Sequence, residues 1–182
     1  EGMSCDAQIY FNGQLLYRNF RGYKSFTVDL TDMANFGDVP NVLAVRVDAS
    51  AWEGWWYEGA GIYRSVWLHK KAAAHIAHNG IWARPVFKDG RWTVEIETTV
   101  ENSFEYDHDF TLETALYAPS GSLCGTAVQT GTVKGYDSTV QKSEISVEKP
   151  ELWSIDTPRL YRVKARVSGD FGEHFQCVET GL

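Results

Sequence analysis

Long apolar runs are missing from this 182-residue sequence. No stretch approaches the roughly 20 apolar residues that a helix needs to cross a bilayer, so a membrane partner is not expected. A basic stripe is missing too. Lys and Arg are scattered, the longest basic run is His69-Lys70-Lys71, and the formal charge is -7. Nothing here would displace counterions from phosphate, which excludes a nucleic-acid partner. Cysteine is scarce and odd in number: Cys5, Cys124 and Cys177 make no complete disulfide framework, although an oxidising compartment would allow a Cys124–Cys177 bridge. No zinc-like spacing occurs. His75 and His78 stand three apart, which on a strand points them to opposite faces, so a metal pair is not expected. Asn102-Ser103-Phe104 is no glycosylation sequon, and neither is any other Asn here. Helical periodicity, internal repeats and low-complexity tracts are all but absent. No leader segment opens the chain, which begins inside a domain by its pattern. Cytoplasmic, periplasmic and secreted placements all stay open.

Aromatics, in contrast, are abundant: seven Trp, nine Tyr and nine Phe within a hydrophobic content of 43%. The length suits one large domain or two of sandwich size, since domains commonly run about 100–150 residues. Short alternating segments between turn residues predict an all-β chain. Ala7–Phe11 leads into Asn12-Gly13, a strong hairpin signal because both residues tolerate positive φ. Leu15–Tyr17 continues that hairpin. Phe26–Leu30 alternates as a strand, Thr31-Asp32 opens a turn or helical stub, and Val42–Val47 reads as a central strand. Composition shifts after Leu68, and 70–74 is the linker candidate. Seven strands then follow, at 81–86, 92–100, 110–117, 125–133, 138–147, 160–167 and 173–179, punctuated by Lys88-Asp89-Gly90, by 118–121 and by Ser168-Gly169-Asp170. Seven short strands in about 110 residues fit an immunoglobulin-like sandwich.

The densest segment is 52–68, WEGWWYEGAGIYRSVWL. Its rings and two carboxylates surround a Gly59-Ala60-Gly61 turn that leads into an alternating strand. Flat aromatic faces beside acids suit either a buried interface or the apolar faces and hydroxyls of a sugar.

Five stretches resemble family 2 glycoside hydrolases, the β-galactosidase, β-glucuronidase and β-mannosidase group. Residues 7–13 are similar to the Asn-Gly hairpin of that family's sugar-binding domain, and Gly22-Tyr23-Lys24-Ser25-Phe26 to the stretch after it. Residues 41–48 resemble its "NvlaVrVd" strand, and 59–68 its "GaGIyRpVwL" end. Pro150-Glu151-Leu152-Trp153-Ser154 through Pro158-Arg159-Leu160-Tyr161 are similar to the signature of its immunoglobulin-like domain. The resemblance implies a partial jelly-roll β-sandwich, the C-terminal half of a sugar-binding domain, in 1–72. It implies a complete immunoglobulin-like β-sandwich in 73–182. It also implies that the catalytic barrel, with the two glutamates of a retaining mechanism about 5–5.5 Å apart, lies beyond Leu182. No residue here inherits either catalytic role, no metal ligand is implied, and no organic cofactor is needed. The partners implied are a carbohydrate substrate, reached through the parent enzyme, and the barrel of the same polypeptide. The parent is expected to be a β-galactosidase. A freestanding carbohydrate-binding or adhesion module is the alternative.

The substrate-binding candidates are Trp52, Glu53, Trp55, Trp56 and Glu58. One role is to wall the substrate pocket; the other is to seal an interface between jelly roll and barrel. Glu53 and Glu58 as an acid pair would need a formed cleft and one carboxyl raised by burial, and loop acids seldom have either. Relatives commonly carry Arg-Trp-Tyr-Pro where this chain has Trp55-Trp56-Tyr57-Glu58. Arg64 is expected to stack or pair structurally, and Trp153 and Tyr161 to pack in the second sandwich. Half a jelly roll exposes edges and an apolar face. Residues 1–72 are therefore expected to form a homo-oligomer, swap strands or pack on the second sandwich. Sedimentation checks this: a monomer that binds no hydrophobic dye contradicts it.

Overall fold

Alternation of side chains across extended backbone accounts for nearly all the regular structure. The computed structural model describes residues 1–51 and 59–182. These residues form twelve strands and one 3-10 turn, an all-β sandwich architecture. They contain no α-helix, so a (β/α)8 barrel cannot be built from them. Contacts divide the chain into two units, Glu1–His69 and Lys70–Leu182.

In the first unit, β2 (Ala7–Phe11) is the centre of a three-stranded antiparallel sheet in the order β3-β2-β4, with β3 at Gln14–Asn19 and β4 at Leu43–Val47. Asn12 and Gly13 turn the β2–β3 hairpin at φ 49° and 84°, the left-handed pair that matches strand twist. Ala7 and Ile9 are buried with Met3, and Phe26, Val45 and Val47 pack against them. A second small sheet pairs β1 (Met3–Ser4) with β5 (Gly61–Ile62). Thr31–Met33 is the short 3-10 turn, its entry held by Asp29, whose carboxylate accepts from the Thr31 backbone and hydroxyl.

Three expectations are corrected here. Residues 26–30 alternate but join no ladder; Phe26 packs on the cluster of Met3, Ala7 and Ile9, and Asp29 turns in to hold Thr31. Phe26 instead lends its ring to Tyr17, centroids 4.8 Å apart. The strand at 42–47 lies at an edge of its sheet, not its centre. Beyond Ile62 the expected strand stops after one further backbone bond, from Tyr63 to Gly2, because β1 is only two residues long.

The second unit stacks two sheets on one core. Its strands are β6 (Ala74–Lys88), β7 (Arg91–Asn102), β8 (His108–Tyr117), β9 (Leu123–Val133), β10 (Ser138–Val147), β11 (Leu160–Gly169) and β12 (Gly172–Gly181). The orders are β10-β7-β6 and β12-β11-β8-β9, antiparallel throughout. Strands β7, β8 and β11 bury alternate residues: Val94, Ile96 and Val100 from one sheet meet Leu112, Leu116, Val163 and Val167 from the other in one apolar cluster. Asp89-Gly90 turns β6 into β7 with φ of 51° and 77°. Cys5, Cys124 and Cys177 form no disulfide. Cys124 on β9 and Cys177 on β12 sit on opposite edge strands of one sheet, which is why the candidate bridge does not form.

Tyr161, the second residue of β11, is 1% exposed and accepts the Glu151 N–H at 2.8 Å on its hydroxyl. Burial pushes its phenol pKa up. Trp153 is less enclosed than expected, 48% exposed, and rests one face on Gly181. Tyr161→Phe is expected to cost about 1 kcal/mol, the usual worth of such a bond. Leu112→Ala in the same core should cost about 2–5 kcal/mol. Urea unfolding of both variants checks the order; equal losses would mean the hydroxyl bond is not what Tyr161 contributes.

Candidate functional site

All five substrate-binding candidates, Trp52, Glu53, Trp55, Trp56 and Glu58, lie outside the described residues, as does the Glu53/Glu58 question. The structure does show what borders the segment. Before it, Asp48 accepts from the Ser50 N–H at 3.0 Å and the Ser50 hydroxyl at 2.5 Å, and pairs with Arg46 at 3.0 Å. The Ser50 bonds hold the Asp48 carboxyl below its ordinary range. The Asp48 N–H donates to Asp6 O, and Asp6 is gripped by Arg18 through two bonds of 2.7 Å, which lower its own pKa. After the segment, Gly59 and Gly61 adopt φ of 70° and 136°, conformations that side-chain-bearing residues rarely take.

The exit from the segment is fastened by aromatics. Tyr63 donates its hydroxyl to Gly22 O at 2.7 Å and lies edge-on to Tyr23 at 6.4 Å. Gly2 lies close under Tyr63: a Cβ there would fall 2.7 Å from the ring and displace it. Arg64 stacks over Tyr63 at 5.4 Å, the stacking role expected from its place in the sequence. Glu1 replaces the missing ladder beside 63–68: its backbone nitrogen donates to Ser65 O, and its carboxylate accepts from Trp67 Nε1 at 3.0 Å.

A polar knot that sequence reasoning missed closes the far end of the same sheet. Asn12 Oδ1 accepts from the Val42 N–H, and its Nδ2 donates to Asn41 Oδ1 and Met33 O. Asn41 in turn accepts from the Asn35 N–H and donates back to Asn35 O. The available signal was that two of the separate motifs each contain an Asn at a strand boundary.

Residues 74–181 match the family model described as glycosyl hydrolases family 2. The chain belongs to glycosyl hydrolases family 2. Among curated family relatives, it is 33% identical over 92% of its length to a β-galactosidase of Bacteroides ovatus, of which it covers 20%. It is 28% identical over 92% to a β-galactosidase of Thermoanaerobacter pseudethanolicus, covering 23% of that protein. Among solved structures, a β-glucuronidase of Bacteroides uniformis superposes with a TM-score of 0.84 at 27% identity, over 100% of this chain and 23% of that one. The chain thus spans about a fifth of the family 2 relatives it matches.

Within the second unit, the unit that carries the family match, the notable titratable pair is His75 with His174, not His78. His75 is 3% exposed. Its Nδ1 lies 3.0 Å from Ala72 O and its Nε2 lies 3.6 Å from Glu101, while its ring meets His174 edge-on at 5.9 Å. Burial, reinforced by Lys71, pushes the His75 pKa below its ordinary value. Among the described residues no cluster of three or more His, Cys, Asp or Glu is arranged to hold a metal. Because His75 is harder to protonate folded than unfolded, the unfolded chain takes the proton first. Its contribution to stability is complete above about pH 6.5 and is lost as pH falls from there through the folded pKa. Melting temperature measured from pH 7.5 to 5 should therefore fall less steeply in His75→Gln than in wild type. Parallel curves would remove His75 as the source.

Proposed function

We infer that this chain is a non-catalytic part of a family 2 glycosidase, a β-galactosidase, supporting the catalytic barrel and shaping its substrate opening. The observation that carries this reading is the likeness over 92% of the chain to a β-galactosidase of which it fills only a fifth. In this reading residues 1–72 are the C-terminal half of a jelly-roll sugar-binding domain. Its support is a three-stranded sheet with β3 and β4 each paired on one side only, and with Leu15, Tyr23 and Trp67 exposed beside it. Residues 73–182 are an immunoglobulin-like domain. The four-plus-three strand arrangement supports this, as does Tyr161, which reproduces the tyrosine corner of such sandwiches by bonding back to the backbone upstream of its strand.

Trp52, Glu53, Trp55, Trp56 and Glu58 are the residues of this chain that would meet the sugar, as flat stacking faces and hydrogen-bond acceptors near the opening. The tightly fastened borders of that segment support a positioning role. A rim group has to be held to within a fraction of an ångström to help a barrel it does not belong to. The chemistry itself is assigned to the barrel.

Nitrophenyl β-galactoside, β-glucuronide and β-mannoside, given to this chain and to the gene product extended to its natural C-terminus, provide the test. Only the extended protein is expected to turn over, with the galactoside preferred; activity in the short chain would overturn the assignment. In the extended protein, Trp55→Ala should lower kcat/KM about tenfold or more at unchanged Tm, the loss of one positioned contact of about 1.4 kcal/mol. A fall in Tm with intact kinetics would make Trp55 an interface residue instead.

A further inference from the structure

Phe104, Tyr106 and Tyr136 stand out from one end of the second unit, keeping 51%, 69% and 74% of their surface in solvent. They sit on two neighbouring loops, 103–107 between β7 and β8 and 134–137 between β9 and β10. These loops are rigidly built. Asn102, 2% exposed, donates through Nδ2 to Tyr106 O at 2.6 Å and Lys134 O at 3.2 Å, and accepts the Phe104 N–H at 3.0 Å. The Tyr136 N–H donates to Phe104 O at 2.9 Å, and Asp107 accepts the Gly135 N–H at 2.9 Å. Gly135 is so closely seated that a Cβ would fall 2.0 Å from Glu105 O.

Tyr136 is the telling member. Its φ is 54°, the left-handed region that Gly, Asn and Asp enter readily and a bulky side chain seldom does. Strain of that kind is ordinarily offset by packing, yet three-quarters of this side chain is in water. A strained backbone that presents an exposed ring instead of burying it has the character of a recognition site. The chemistry around the rings narrows the ligand. Aromatic faces suit the C–H faces of a pyranose, and the acids on and beside these loops, Glu105, Asp107, Asp109 and Asp137, offer acceptors to hydroxyls. The same carboxylates repel an anionic chain.

We propose that the loop end carrying Phe104, Tyr106 and Tyr136 is a binding surface for a neutral polysaccharide or oligosaccharide chain. The proposal does not depend on residues 52–58.

Affinity electrophoresis of the full-length gene product in gels containing galactan, galactomannan or hydroxyethyl cellulose tests it, with polygalacturonate as the anionic control. Retardation is expected in at least one neutral gel and not in polygalacturonate. Tyr106→Ala and Tyr136→Asn should each weaken it at least fivefold while leaving the hydrolysis of nitrophenyl β-galactoside unchanged. Since Asn accepts the left-handed backbone, Tyr136→Asn should not lower Tm, which separates lost recognition from lost folding. Unchanged mobility in every neutral gel would overturn the proposal. So would equal retardation by polygalacturonate, retardation that survives both tyrosine variants, or a Tyr136→Asn protein that loses stability along with binding.

Discussion

Unpaired strand edges are the constraint that the rest of this structure answers to. A ladder satisfies the backbone between strands and leaves a row of N–H and C=O groups at each margin, where another chain can add on. The second unit answers with side chains that reach from one sheet to the margin of the other. On one flank, Gln129 of β9 donates to Lys142 O of β10 at 2.8 Å. On the other, His174 of β12 accepts the Ile76 N–H of β6 at 3.3 Å, and Gln176 donates to Ala77 O at 3.1 Å. The break in β6 pairing between Ile76 and Ile81 leaves Ala77 without a β7 partner, and Gln176 supplies one. Packing follows from the same arrangement: β9 comes close enough to the core that a Cβ on Gly131 would stand 2.9 Å from Phe110.

The first unit meets the constraint with short polar side chains. Asn19 folds back on Arg21 through both its amide oxygen and its nitrogen, Asn12 and Asn41 interlock at the hairpin end, and Asp48 closes on Ser50. These are local devices, and they leave the outer margins of β3 and β4 without a ladder partner among the described residues. Phe20 and Leu68 are largely exposed in the same unit. Apolar exposure together with open margins leaves this sheet with faces and edges that further contacts could cover.

What could be read from the residues alone divides along physical lines. Turns were legible wherever chemistry demands a positive φ, as at Asn12-Gly13 and Asp89-Gly90. The strands of the second unit were legible from short alternating segments between turn residues, most plainly β7, β8 and β11, which bury alternate residues on one core. Pairing was not legible. Residues 26–30 have the alternation of a strand but join no ladder, and alternation says nothing about which neighbours a strand finds. Val42–Val47 looked central because all but Arg46 are apolar, yet Leu43 lies half in solvent at a margin. His75 meets His174 edge-on, a neighbour 99 positions away, a distance no local pattern reports. At the aromatic segment, composition pointed to recognition while its fastening could only be seen in space. Gly2 against Tyr63 and Glu1 against Trp67 join the two ends of the unit.

The path of the second unit carries a mechanical consequence. β6 begins beside Asn102, at the end of the sandwich that holds loops 103–107 and 134–137, and β12 finishes beside Leu160 at the opposite end. At about 3.3 Å per residue, strands of ten residues separate those two points by roughly 30 Å. Tension between them would load the β6–β7 and β11–β12 ladders along their length, so that many rungs resist together instead of opening one by one.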